Sequence, residues 1–215
     1  MSLAQLQQQM QGIYELNIAH DVNDYLVTCS QLAGQLNPAN LFPNAREKLL
    51  FQEDDNNLDV SLYLDHTVIS NLEKNNPVEN LHEKNLEDFC LALEGISHFL
   101  YLIWNASHDK SVTLLELELQ AEIDKFIMLF ECMEQQGKAI DLEGLRNLLF
   151  ESVSFEHSLG FAERERYRDA NYFAGKYCWH LQTKYLGKGK QALLNELRRF
   201  YRFNQEDKLR WINAS

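Results

Sequence analysis

The sequence is poor in the residues that interrupt regular structure. Its 215 residues include nine glycines and three prolines, too few for a loop-rich β-sandwich, a collagen-like chain or a disordered linker protein. Hydrophobic residues make up 45% and charged residues 24% of the chain, the mixture of an ordinary globular protein. A chain of this length can bury well over half of its unfolded surface, so it needs neither disulfides nor a structural metal to fold.

The cysteines are few and scattered, and no Cys-x-x-Cys pair occurs among Cys29, Cys90, Cys132 and Cys178. This spacing excludes the usual metal-clip and redox motifs and is typical of the reducing cytosol. The first residues have neither a basic nor an apolar segment, so we predict no signal peptide. The longest uninterrupted apolar run, residues 99–104, is too short for a membrane span. We therefore expect a cytoplasmic protein without membrane contacts.

Basic residues are in a minority and are unevenly distributed. The net charge is −12, which disfavours a general nucleic-acid-binding protein. Residues 184–215 carry eight basic and three acidic residues, net +5, whereas the rest of the chain carries twelve basic and twenty-nine acidic residues, net −17. This basic aromatic segment contains Arg198, Arg199, Tyr201, Arg202, Lys208, Arg210 and Trp211. It either binds single-stranded nucleic acid or an acidic partner, or docks on the acidic body of its own chain; we favour docking.

Apolar residues recur at helical spacing along most of the chain. The pattern predicts helices over residues 3–16, 21–36, 65–74, 85–105, 113–136, 141–149, 161–185 and 191–202. In residues 47–64 apolar and polar side chains alternate around a turn-rich tract, which predicts a β-hairpin. The sequence is therefore expected to form a mostly α fold, a bundle of six to eight helices with one small β-hairpin.

This pattern also predicts how the chain is organised. We treat residues 1–215 as a single domain, in which an N-terminal subregion (1–76) packs on a helical bundle (85–204) and residues 205–215 form a tail. Because strands and helices do not alternate, Rossmann and barrel folds are excluded.

Three of the predicted helices carry polar stripes between their apolar residues. The stripes contain Glu94, His98, Glu118, Glu122, Arg164 and Arg168. Each of the three helices carries two of these residues, four positions apart, so the two side chains lie on one face of their helix. Convergence of the three stripes would bring carboxylates, an imidazole and guanidinium groups together inside the bundle.

Three interpretations of these stripes remain open. A carboxylate–histidine metal site is one, because bundles build such sites from facing helices. The spacing of Glu94 and His98 departs from the Glu-x-x-His pattern of di-iron proteins, so we predict no metal or other cofactor. An anion or acid–base pocket is the second, with His98 titrating and Arg164 and Arg168 as a clamp. We favour the third, a structural network in which the two arginines pair with Glu118 and Glu122 and fix helix register.

No segment has the spacing of a catalytic or cofactor-binding motif. We therefore predict a non-enzymatic accessory or regulatory protein that acts through protein–protein contacts. Self-association as a homodimer is expected, because an acidic body and a basic end complement each other. A small-molecule-binding protein or enzyme that uses the polar stripes is the alternative, and nucleic-acid binding through the basic aromatic segment comes third.

Overall fold

The structure, a computed structural model, describes residues 2–36, 45–54, 57–151, 160–186 and 189–214. Most of these residues are in helices. The α-helices in these ranges are α1 (Leu3–Tyr14), α2 (Ser30–Leu36), α3 (His66–Lys74), α4 (Glu83–Ala106), α5 (Leu114–Gln135), α6 (Leu142–Arg146), α7 (Phe161–Lys184), α8 (Lys190–Tyr201) and α9 (Gln205–Ala214). The strands are β1 (Leu26–Val27), β2 (Glu47–Asp54) and β3 (Asn57–Leu64). A mostly helical bundle with a small hairpin is thereby confirmed.

Side chains at the helix starts follow the capping signals of the sequence. Thr113 Oγ1 accepts a hydrogen bond of 3.1 Å from the backbone N–H of Glu116, and the Thr113 N–H donates to Glu116 Oε2 at 2.9 Å. Asp65 accepts a bond of 2.8 Å from the N–H of Thr67 at the start of α3. These bonds satisfy N–H groups that the first turn of a helix leaves without intrahelical partners.

The long helices α4 and α5 lie side by side at the centre of the bundle. α7 packs against α5, whereas α1, α3 and the sheet pack against α4, and α8 lies on α1. One hydrophobic cluster joins these layers; it includes Leu6, Ile96, Phe126, Tyr177 and Leu197, each at most 1% exposed. By length and composition α4 is apolar enough to cross a membrane, but 72% of its most apolar window is buried inside the protein, which is equally typical of a core helix.

Two segments differ from the predicted elements. The helix predicted to follow an N-cap in residues 21–24 and to reach residue 36 is helical only in its second half, as α2. Its first half is a 3₁₀ turn, Val22–Tyr25, followed by β1, which pairs parallel to β3 with Leu26 opposite Leu62. In the hairpin alone, one edge of β3 would have unpaired backbone groups, and β1 pairs with this edge. The pairing is a tertiary contact, so the spacing of apolar residues near β1 does not predict it. The predicted tail forms α9, which buries Lys208 and Ile212.

The sheet approaches α4 closely at Gly95. A Cβ atom at this position would lie 2.7 Å from Leu62 Cδ1 and 3.2 Å from Glu47 Oε1, so an alanine there would displace a buried neighbour. The missing side chain thus lets the first residue of β2 lie against the middle of α4.

We expect Gly95→Ala to lower the free energy of unfolding by about 1–3 kcal/mol, because the added methyl group overpacks the sheet–helix contact. Gly12→Ala is the matched control, since Gly12 also lies in a helix but a methyl group added there would meet no atom of the described residues within 4 Å. Alanine loses less backbone entropy than glycine when the helix forms, so this variant should be more stable by about 0.5–1 kcal/mol. Urea denaturation checks both values, and changes of the same sign would contradict the close approach.

Candidate functional site

A group of charged side chains lies buried or partly buried where β2, α4, α5 and α7 meet. We define this ionic cluster by seven residues, Glu47, Glu94, His98, Glu118, Glu122, Lys125 and Arg166. It contains all four residues of the predicted stripes on α4 and α5. Two of the three predicted stripes therefore converge, and β2 adds a carboxylate to them.

His98 lies between two carboxylates. Its Nδ1 is 3.6 Å from Glu47 Oε1, and its Nε2 is 3.4 Å from Glu118 Oε2. Burial by itself lowers the pKa of His98, but the facing carboxylates of Glu118 and Glu47 outweigh burial and raise this pKa well above its ordinary value. Burial also raises the pKa of Glu47, against the opposing effect of His98. The imidazole thus holds a proton that links β2 to α5.

Lys125 compensates the other two carboxylates. Its Nζ lies 2.7 Å from Glu122 Oε1 and 3.1 Å from Glu94 Oε2. Burial lowers the pKa of Lys125, yet the charges of Glu122 and Glu94 raise it well above its ordinary value. Burial would raise the pKa of Glu94, but the positive charges of Lys125, His98 and Lys48 together outweigh burial and hold this pKa below its ordinary value. The ammonium group therefore stays charged and joins α4 to α5.

The predicted pairing of Arg168 with the carboxylates of α5 was wrong, whereas the pairing of Arg164 stays a prediction. Arg168 is 61% exposed and pairs with Glu165 of its own helix, and Arg164 is exposed. Arg166 takes the place of Arg168, with Nε 3.6 Å from Glu118 Oε1. It lies one turn before the buried Ala170, on the inward face of α7. The run of alternating charges at the start of α7 has no apolar residues that would reveal which charge faces inward.

Sequence reasoning also missed Glu47, because its contact with α4 depends on how the hairpin docks. Within the described part of the chain, Glu47 Oε1, His98 Nε2 and Arg166 Nε are buried without a hydrogen-bond partner. Buried polar atoms without partners cost free energy, and in native proteins such atoms mark strain or a ligand-binding position.

A second polar network lies on another face of α5, around Asp124. Ser97 and Gln120 donate hydrogen bonds of 2.5 and 2.9 Å to its carboxylate, and Tyr14 donates a third. Lys208 of α9 donates to Gln120 Oε1 at 2.6 Å. Burial raises the pKa of Asp124 to about 6 and lowers the pKa of Lys208 to about 7. This network ties α9 to the centre of the bundle.

The basic aromatic segment makes most of its contacts with its own chain. Arg198 Nε donates to the carbonyl of Ile13 at 2.9 Å, and Arg202 donates to the carbonyl of Tyr14 at 3.2 Å. Arg199 lies 3.9 Å from the centre of the Trp211 ring. Three residues of the segment remain. Tyr201 stacks on Tyr14, and Lys208 is buried. Arg210 pairs with Glu206 and Asp207. Docking thus occupies several of the groups that nucleic-acid binding would use.

The outward face of α7 is aromatic. Phe161, Tyr172 and Trp179 are 82%, 63% and 50% exposed. At 3.6 residues per turn they lie with Arg168 within about 20° of one line along the helix. Glu165 lies beside this line, and we call these five residues the α7 seam.

A cavity lies apart from both the ionic cluster and the α7 seam. It has a volume of about 230 Å³ and lies between α1, α5 and α8, with Gly12, Met128 and Leu194 in its lining.

Comparisons with protein-family models, with curated proteins and with solved structures find no match for this chain.

Lys125→Met should lower the free energy of unfolding by about 3–5 kcal/mol, because it leaves the buried carboxylates of Glu94 and Glu122 without their counter-charge. Lys190→Met is the matched control: its Nζ also lies 2.7 Å from a carboxylate, that of Glu131, but its side chain is 62% exposed. That variant should lose no more than about 1 kcal/mol. Urea denaturation measures both losses, and equal values would contradict the role assigned to Lys125.

Lys208→Met should change how stability depends on pH. The pKa of Lys208 falls from 10.5 to about 7 on folding, so between these values the unfolded chain binds a proton that the folded protein lacks. Its contribution to stability therefore rises with pH across this window, by up to about 1.4 kcal/mol per pH unit. Methionine removes this contribution, so the stability of the variant relative to the wild type should fall as the pH rises from 7 to 10. A difference in unfolding free energy between variant and wild type that stays constant from pH 7 to 10 would contradict the lowered pKa of the buried Lys208 side chain.

Proposed function

We propose that this protein is a non-enzymatic accessory protein that acts through protein–protein contacts, with the α7 seam as its contact surface. The exposure of Phe161, Tyr172 and Trp179 along one helix line is the observation that supports this proposal. Tyrosine, tryptophan and arginine dominate the binding energy of protein interfaces, and all three residue types lie exposed along this line.

The spacing of the seam favours a second helix as its partner. Phe161, Glu165, Arg168, Tyr172 and Trp179 follow one another at steps of four, three, four and seven residues, the spacing at which one helix packs along another. The seam extends over 19 residues, and its first and last residues are about 27 Å apart along the helix. A contact of this length requires a partner helix that runs nearly parallel or antiparallel to α7.

A second copy of the chain fits this requirement, because the seam is complementary to itself when reversed. In an antiparallel pair centred at the height of residue 170, Phe161 faces Trp179 of the other copy and Arg168 faces Tyr172. Glu165 then lies within one residue of Lys176. Each half of the pair combines two aromatic rings, a cation on a ring and an ion pair, and the arrangement is a closed two-fold dimer.

The remaining expectations extend this proposal. The scattered cysteines support a cytoplasmic location, and the net charge of −12 disfavours nucleic acid as the partner.

Sedimentation velocity over a range of concentrations tests the dimer. We expect a reversible monomer–dimer equilibrium, and Trp179→Ala should raise its dissociation constant by about 30-fold or more, as loss of an interface hot spot does. Phe51→Ala is the matched control, since Phe51 is an exposed aromatic residue on β2, away from α7. A wild type that stays monomeric at every concentration, or an equal effect of both substitutions, would contradict the proposal.

Charge reversal tests the antiparallel register. Glu165→Lys and Lys176→Glu should each weaken the dimer, because each places like charges opposite one another. The double variant restores opposite charges and should regain most of the affinity. Two additive losses without this recovery would exclude the proposed pairing.

A further inference from the structure

We propose that Glu47, Glu94 and His98 form a binding site for a divalent transition-metal cation, with Glu118 as the group that orients His98. This site is independent of the α7 seam, and it goes beyond the proposed contact function. It revises the expectation that the protein binds no metal.

The ligand atoms are already close to metal-binding geometry. Oxygen atoms of Glu47 and Glu94 and a ring nitrogen of His98 all lie within 4.8 Å of one another. Two ligands at about 2.1 Å from one cation are about 3–3.5 Å apart, and Glu47 Oε1 and His98 Nδ1 are 3.6 Å apart. Small side-chain movements would therefore complete a three-ligand site and leave further positions for water or another ligand.

Burial provides an observation independent of this proximity. The Glu47 side chain is 7% exposed and the His98 side chain 8%, and within the described residues Glu47 Oε1 has no hydrogen-bond partner. A buried carboxylate oxygen of this kind gains a partner when a cation binds. The position of the Glu47 carboxylate depends on Gly95, because a side chain at residue 95 would contact Glu47 Oε1. Without one, the carboxylate lies directly against α4.

Glu118 supplies the outer shell that metal-binding histidines usually have. It lies 3.4 Å from His98 Nε2, on the opposite side of the ring from Glu47. Such a carboxylate holds the proton on Nε2 and leaves Nδ1 available for the cation. With Nδ1 as the ligand, the proton stays on Nε2, which lies 3.4 Å from Glu118 Oε2 and would donate to it after a small movement of the ring.

The charge balance of the ionic cluster favours a divalent cation. The four carboxylates of the cluster, together with Glu163 beside Arg166, face Lys125, Arg166 and the nearby Lys48, an excess of two negative charges. The proton on His98 reduces this excess to one, and a divalent cation that displaces the proton from Nδ1 would balance it fully. Lys125 bonds Oε2 of Glu94, so a cation at Oε1 is compatible with this bond. The Glu94 side chain is 21% exposed and provides a route from solvent.

The donor set selects the class of metal. One imidazole with two carboxylates suits Zn²⁺, Fe²⁺ or Mn²⁺, whereas Ca²⁺ and Mg²⁺ prefer oxygen ligands alone and Cu⁺ prefers sulfur. The three ligands come from β2 and α4, so the cation would fix the hairpin to the central helix.

Elemental analysis and calorimetry test this site on the full-length, untagged protein. We expect the protein, stripped with EDTA, to bind about one equivalent of Mn²⁺, Zn²⁺ or Co²⁺ per chain. Glu47→Gln and His98→Gln should weaken binding more than about 100-fold, and Glu118→Gln by about 10–100-fold, the range for outer-shell partners. With Co²⁺ bound, loss of the visible absorption in His98→Gln reports directly on the imidazole ligand.

Two variants control for general effects of removing a buried group. Glu196 is a buried carboxylate and His180 a buried imidazole, both outside the ionic cluster. Glu196→Gln and His180→Gln should keep the affinity of the wild type, with circular dichroism confirming that every variant is folded. The proposal is overturned if the stripped wild type shows no saturable binding, or if Glu47→Gln and His98→Gln bind as tightly as the two controls.

Discussion

Compensation of buried charge sets the arrangement of the central helices. α5 is buried on nearly every side, yet it carries Glu118, Glu122 and Lys125 on one face and Asp124 on another. A charged group in the interior is tolerated only where an opposite charge or hydrogen bonds replace the water that it loses. α4, β2 and α7 supply these groups on the first face, and α1 and α9 supply them on the second. The neighbours of α5 are thus positioned by its polar residues as well as by its apolar ones.

The sequence predicts the elements better than their contacts. Capping at Thr113 and Asp65 depends on residues within one turn, so the starts of α5 and α3 follow from local chemistry. The inward position of Arg166 depends on the rotation of α7, which the charged residues at its start do not indicate. The contact of Glu47 with His98 depends on the docking of a hairpin onto a distant helix. Local patterns therefore predict the site residues of α4 and α5. They do not predict Glu47 of β2 or Arg166 of α7, because both contacts depend on tertiary packing.

α7 connects the interior with the surface. Arg166 and Arg168 are two residues apart and so lie on nearly opposite faces of the helix. The first contacts Glu118 in the ionic cluster, whereas the second is exposed in the α7 seam. Because the two faces share one rigid helix, their roles can be separated by substitution: a change at Arg168 alters the seam without removing a buried counter-charge, and a change at Arg166 does the reverse.

Part of the basic segment's charge is paired within the molecule. The basic aromatic segment lies on α1, where Arg198 also pairs with Glu15 at 2.6 Å. Its rings pack beside the central helices, and Tyr201 stacks on Tyr14 with ring centres 4.3 Å apart. The basic end is thus held by backbone carbonyls, stacked rings and ion pairs with Glu15 and Glu131, whereas the aromatic residues of α7 are exposed. This difference is the reason to look for the partner surface on α7 and not on the more basic end of the chain.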